Sequence, residues 1–106
     1  MLVAQSVTYD LIRSLRLVVA PLRVHNADLA NQITRAATSV ALNLAEGTRR
    51  TDRDKRRVYR IAAAEAQEVK MALETIAAWG YLDEAVLAAP RALADRVGAL
   101  TFGLAR

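Results

Sequence analysis

Gln32–Gly47, QITRAATSVALNLAEG, decides how the rest of the chain is read. At about 100° per residue, Leu29, Ile33, Ala36, Ala37, Val40 and Leu44 share an arc of roughly 100°, the apolar face of an amphipathic helix. Such a face requires a core to cover it. Beside it, Arg35, Ser39, Asn43 and Glu46 stand at i, i+4, i+8 and i+11, in a second stripe about 80° wide. A solvated face would carry Lys and Glu there. Short hydroxyl and amide groups between one Arg and one Glu read instead as a hydrogen-bonded polar network against a neighbouring helix, because buried polar groups need partners. Leu42 lies about 160° around the helix from Leu44, outside the bundle core, and is a candidate for an oligomer interface.

The stretch sits in a chain of 106 residues, enough for one domain (1–106) with one core. Hydrophobic residues make up 54%, mostly Ala and Leu, whereas aromatics are 5% and Gly plus Pro number six, a balance that favours helices over sheets. Cysteine is absent, which excludes disulfides, thiolate catalysis and Cys-based zinc sites, and points to a cytosolic compartment. A single histidine, His25, excludes most metal sites and is read as a loop residue. Arg13, Arg16, Arg23 and Arg35 interrupt every apolar run short of the about 18 residues that a membrane span needs, and MLVAQSVTYD lacks the basic start of a signal peptide. No membrane association, cofactor or small-molecule substrate is expected. The net charge of +4 and pI of about 10.1 favour an anionic partner.

Upstream, Val7, Leu11, Leu15, Val18 and Leu22 predict a first helix over 5–20, with Pro21 ending it and Asn26 and Asp28 forming a turn. The second helix is predicted from Asp28 as N-cap to Glu46, about 28 Å long, with Gly47 in the left-handed C-cap position. Downstream, Thr51-Asp52-Arg53-Asp54 has the form of a capping box. It opens the longest helix, which carries Val58, Ile61, Ala62, Val69, Ala72, Leu73 and Ile76 on one face and ends at Trp79 with Gly80 as C-cap. Glu65 falls inside that apolar arc and Glu68 at its edge, so both call for a partner such as Arg35 or Asn43. Met71 projects away from the arc and joins Leu42 as a candidate interface residue, with ordinary surface exposure as the alternative. A fourth helix, capped by Asp83, is read from Val86, Leu93, Val97, Leu100 and Leu104, with Pro90 either kinking it or opening its main segment. Four helices on short connections give an all-α, antiparallel up-down-up-down four-helix bundle.

The most concentrated charge is Arg49-Arg50-Thr51-Asp52-Arg53-Asp54-Lys55-Arg56-Arg57-Val58-Tyr59-Arg60, with seven basic and two acidic residues. Arg53, Arg56, Arg57 and Arg60 occupy an arc of about 100° away from the apolar face. A rod presenting guanidinium groups along one side can follow a phosphate backbone, and Arg makes bidentate phosphate contacts where Lys acts as a point charge. Arg49, Arg50, Arg53, Lys55, Arg56, Arg57 and Arg60 are therefore the candidate RNA- or DNA-binding residues. A solvated helix face, with Asp52 and Asp54 satisfying the helix N-terminus, is the alternative. Tyr59 is read as an interface contact in preference to a base-stacking ring. Glu65 and Glu68 could form a general acid/base pair, but no nucleophile, ligand set or paired Glu-x-x-His motif accompanies them, so no enzymatic role is assigned. Trp79, Tyr81 and Leu82 are read as packing a helix end.

Leu29 and Gln32, then Arg35-Ala36-Ala37, Ser39-Val40, Asn43-Leu44-Ala45-Glu46-Gly47 and Arg50, followed by Ile61-Ala62, Glu68 and Gly80-Tyr81-Leu82, resemble a known pattern across about half the chain. It is that of the four-helix bundle family named for proteins encoded in intervening sequences of bacterial 23S ribosomal RNA genes, which also includes the accessory variability determinant of diversity-generating retroelements. The resemblance implies a protomer that assembles into a homopentameric ring without catalytic activity. For the retroelement members it implies a basic outer surface and a partnership with a reverse transcriptase and its template RNA. A scaffold that holds a protein partner without touching nucleic acid is the alternative within the same family. The chain departs from the pattern at Ala63-Ala64-Glu65, where the family usually has Arg-Gly-Ser, so that a carboxylate stands where a small hydroxyl is usual.

Overall fold

A computed structural model describes all residues, Met1–Arg106, and contains four α-helices in the order α1 (Val3–His25), α2 (Ala27–Gly47), α3 (Asp52–Trp79) and α4 (Glu84–Ala105). Each helix packs on its neighbours in sequence, and α4 closes the cycle against α1. The result is an antiparallel four-helix bundle of 42 × 22 × 19 Å. The 28 residues of α3 run its full length at about 1.5 Å per residue.

Three-four spacing puts one stripe of each helix into a common core of 23 buried residues. Val7, Leu11, Leu15, Val18 and Leu22 of α1 and Leu29, Ile33, Ala36, Ala37, Val40 and Leu44 of α2 are buried as the periodicity requires. The two buried polar side chains, Thr8 and Thr101, satisfy their hydroxyls within their own helices, on Ala4 O at 2.7 Å and Val97 O at 2.8 Å.

Several local expectations are corrected. Pro21 does not end α1, which continues to His25. Pro21 sits on the exposed side, while Leu22 is fully buried and its carbonyl accepts the Asn26 N–H at 2.8 Å, so tertiary packing carries the helix through. Asn26, not Asp28, caps α2; its Oδ1 accepts the Leu29 N–H at 3.0 Å, and one residue makes the whole α1–α2 joint. Gly47 is helical rather than left-handed, and Thr48 at φ −66° is the C-cap. Thr51 makes no side-chain cap bond; instead Asp52 takes φ +52°, a conformation Asp tolerates better than most residues, to turn the chain into α3. Gly80 does hold the expected left-handed C-cap, at φ +71°. On α3, Tyr59 is buried in the core, not at an interface, and Ile61 is displaced to the exposed edge. On α4 the buried stripe is Leu87, Pro90, Ala94, Val97 and Thr101, with Val86 exposed and Leu93, Leu100 and Leu104 at the margin. So many alanines leave that helix without a sharp apolar period, so its rotation is set by its neighbours.

Candidate nucleic-acid interface

The α2–α3 junction is built on a close approach. Gly47 is buried, and a Cβ there would lie 2.2 Å from Tyr59 Cε1, so only glycine lets the Tyr59 ring lie against the end of α2. At the same junction, side chains from the end of α2, the connection and the start of α3 form a chain of ion pairs. Glu46 Oε1 accepts from Arg50 Nη2 at 2.7 Å, Arg50 Nη1 donates to Asp54 Oδ2 at 2.7 Å, and Arg57 Nη2 donates to Asp54 Oδ1 at 3.0 Å. Hydrogen bonds from Arg57 and Arg50 hold the Asp54 carboxyl below the usual carboxylate range. Those that Arg50 donates to Glu46 and Asp54 raise Arg50 in turn, further above an already high value.

This chain of pairs divides the seven candidate cations. Arg50 and Arg57 are neutralised locally, at i,i+4 and i,i+3 spacings that the sequence displays but that the bare charge count conceals. Arg49, Arg53, Lys55, Arg56 and Arg60 make no ion pair. All but half-buried Lys55 are exposed. None of the five lines a cavity, which suits a polyanion better than a small ligand.

The polar stripe of α2 does not form one network. At its start, Arg35 reaches across to α3, with Nη2 2.9 Å from Glu68 Oε1 and Nη1 3.7 Å from Glu65 Oε2. In the middle, Asn43 Nδ2 donates back to Ser39 O at 2.9 Å and Ser39 Oγ at 3.0 Å, inside α2. At its end, Glu46 belongs to the Arg50 pair. Glu65 Oε2 is buried and has no hydrogen-bond donor. Burial, then the adjacent Glu68 carboxylate, push the Glu65 carboxyl above its ordinary range, and Arg35 opposes them only in part.

Leu42 and Met71 are 65% and 63% exposed, so the four-helix bundle leaves both uncovered. Met71 edges a small depression between α3 and α4, beside the Lys70–Asp95 and Arg91–Glu74 pairs at 3.3 and 3.0 Å. Those α3–α4 pairs escaped sequence reading because their partners are far apart in the chain. At the opposite end of the bundle, Tyr81 stacks between His25, 5.3 Å away at 14°, and Trp79, 6.1 Å away at 17°. Trp79 is 69% exposed, so it packs this end with one face only. No group of three or more His, Cys, Asp or Glu side chains is placed to hold a metal ion, and no helix is long and apolar enough to cross a membrane.

The family model described as 23S rRNA-intervening sequence protein matches residues 9–103. The chain is also similar in structure to a protein of unknown function from the S23 ribosomal protein family of Bacteroides thetaiotaomicron. The TM-score is 0.80 at 19% identity, over 98% of this chain and 99% of that one, a likeness of fold. A search of curated proteins gives no significant match.

Proposed function

The chain belongs to the family of 23S rRNA-intervening sequence proteins, and on that footing we propose that it is a non-enzymatic accessory protein that binds nucleic acid along the outward face of α3 and the connection that leads into it. The observation that carries this reading is the set of unpaired cations, Arg49, Arg53, Lys55, Arg56 and Arg60, left over after Arg50 and Arg57 are neutralised. Cations on a rod about 1.5 Å per residue long contact successive phosphates without reading sequence. In the proposed homopentamer, with Leu42 and Met71 at subunit contacts, the face is repeated around a ring and its weak contacts act together. The proposed client is a reverse transcriptase together with its RNA.

RNA binding measured against salt tests the face. Wild type is expected to lose affinity steeply with log salt, and Arg53→Ala/Arg56→Ala/Arg60→Ala to flatten the slope by about 2, at about 0.7 per single-strand phosphate contact. Arg57→Ala should change it little, because that charge is already spent on Asp54. Equal slopes for wild type and the triple variant would sink the assignment. Assembly is tested separately by light scattering, with an expected mass of several times 11.6 kDa. Co-purification of one protein without any salt-sensitive nucleic-acid binding would favour the scaffold role instead.

A further inference from the structure

The largest cavity lies away from the basic face. It is an open groove of about 460 Å3 between α1 and α2, with Ile12, Leu15, Val19, Ala20 and Ala37 as its apolar lining. Its α2 wall adds Thr34 and Thr38, whose hydroxyls are taken by their own helix, on Ala30 O and Thr34 O at 2.8 Å each. The wall therefore offers little polar bonding to a ligand. On the α1 side stand Arg16 and Arg23, seven residues and so about 10 Å apart on one face. Arg16 makes no ion pair, and Arg23 donates only to the neutral Asn31 Oδ1, at 2.7 Å. No carboxylate lines the groove.

We infer that this groove is a docking site for an amphipathic helix of a partner protein, one whose apolar ridge is flanked by carboxylates. From Ile12 to Arg23 the groove spans about 16 Å, the length of three helical turns, which matches an apolar ridge at three-four spacing. The two guanidinium groups, lacking acidic neighbours, supply the charge complementarity: carboxylates seven residues apart on the incoming helix meet both. Nucleic acid fits this surface poorly, since the lining is aliphatic and presents no aromatic ring to a base. The inference is independent of the α3 face, which lies on the other side of α2.

The test is fluorescence anisotropy on the full chain in its native assembly. The probe is a labelled helical peptide of about 16 residues, with Leu at three- and four-residue spacing and Glu on both flanks. A second peptide has Lys in place of Glu. The Glu peptide is expected to bind at least about tenfold more tightly than the Lys peptide, a difference of about 1.4 kcal/mol. Arg16→Glu/Arg23→Glu should reverse that order. Ala20→Trp, at an exposed lining position, should block both peptides while circular dichroism stays helical. Equal binding of the two peptides, or no binding to a folded assembly, overturns the proposal. So does loss of RNA binding in Arg16→Glu/Arg23→Glu with peptide binding intact, which would make the groove part of a nucleic-acid surface. Peptide binding only where light scattering shows the assembly dissociating also overturns it, because the groove would then be filled by a second copy.

Discussion

Two glycines follow the apolar runs of α2 and α3 in the same way, yet the molecule uses them for different reasons. Gly47 has ordinary helical geometry and is required by a neighbour, since a Cβ there would strike the Tyr59 ring at 2.2 Å. A side chain at Gly80 would meet no other part of the molecule, and glycine is required there by its own backbone, at φ +71°. There its N–H reaches Ala77 O at 3.0 Å, and the next N–H reaches Ile76 O at 3.2 Å, closing the helix end. The surroundings differ as well: charged pairs cover the Gly47 joint, and the His25–Tyr81–Trp79 stack covers the Gly80 joint. A glycine after a helical run thus reports either conformation or proximity, and only the partner helix distinguishes the two.

The largest effect expected from breaking this contrast is at Gly47. Gly47→Ala should destabilise the bundle by about 2–3 kcal/mol in urea unfolding, because Tyr59 is buried and cannot swing away. Combined with Tyr59→Leu, it should cost at least about 0.5 kcal/mol less than the sum of the single changes. Additivity would remove the close approach as the cause. Gly80→Ala should cost about 1 kcal/mol, the penalty of a left-handed side chain, and should be additive with Tyr59→Leu.

Between the two ends, Glu65 tests the middle of α3. Its raised pKa means that the folded state holds the proton more tightly than the unfolded chain does. Stability therefore falls as pH rises from the ordinary carboxylate value through the raised one. Glu65→Gln should abolish that fall and leave the protein more stable than wild type at neutral pH, by less than about 1 kcal/mol. A pH profile unchanged by the substitution would refute it. The smallest effect belongs to the exposed pairs at the Gly47 end. Asp54 has a depressed pKa, so its contribution is present above the ordinary carboxylate value and is lost as pH falls through the depressed one. Asp54→Asn should lower Tm slightly at low salt and not at 1 M salt, where screening has already removed the contribution. The same change at the aromatic end has no counterpart, because ring stacking is indifferent to salt.

The resemblance carried by Leu29–Arg50 and by Gly80-Tyr81-Leu82 extended, in the family match, to residues 9–103. Within the candidate surface, the number of cations was plain from the chain, but the pairing of Arg50 and Arg57 with Asp54, at spacings of four and three, was read only from the structure. That Arg50 would use both of its acidic neighbours, Glu46 and Asp54, depended on the path of the connection after Gly47.

Periodicity by itself determined four helices and the buried stripes of α1 and α2, because a 3.6-residue turn converts spacing directly into direction. Composition likewise determined the absence of thiol chemistry and the surplus of positive charge. Only the tertiary structure decided the continuation of α1 past Pro21, the rotation of alanine-rich α4 and the burial of Tyr59. It alone also set the division of the polar stripe into three pieces and the exposed groove between α1 and α2. Most of these rest on how residues of different helices approach one another; the Asn43–Ser39 piece of the stripe, closed inside α2, is the exception. A close approach such as Gly47 to Tyr59 leaves no local mark on either residue until the helices are packed.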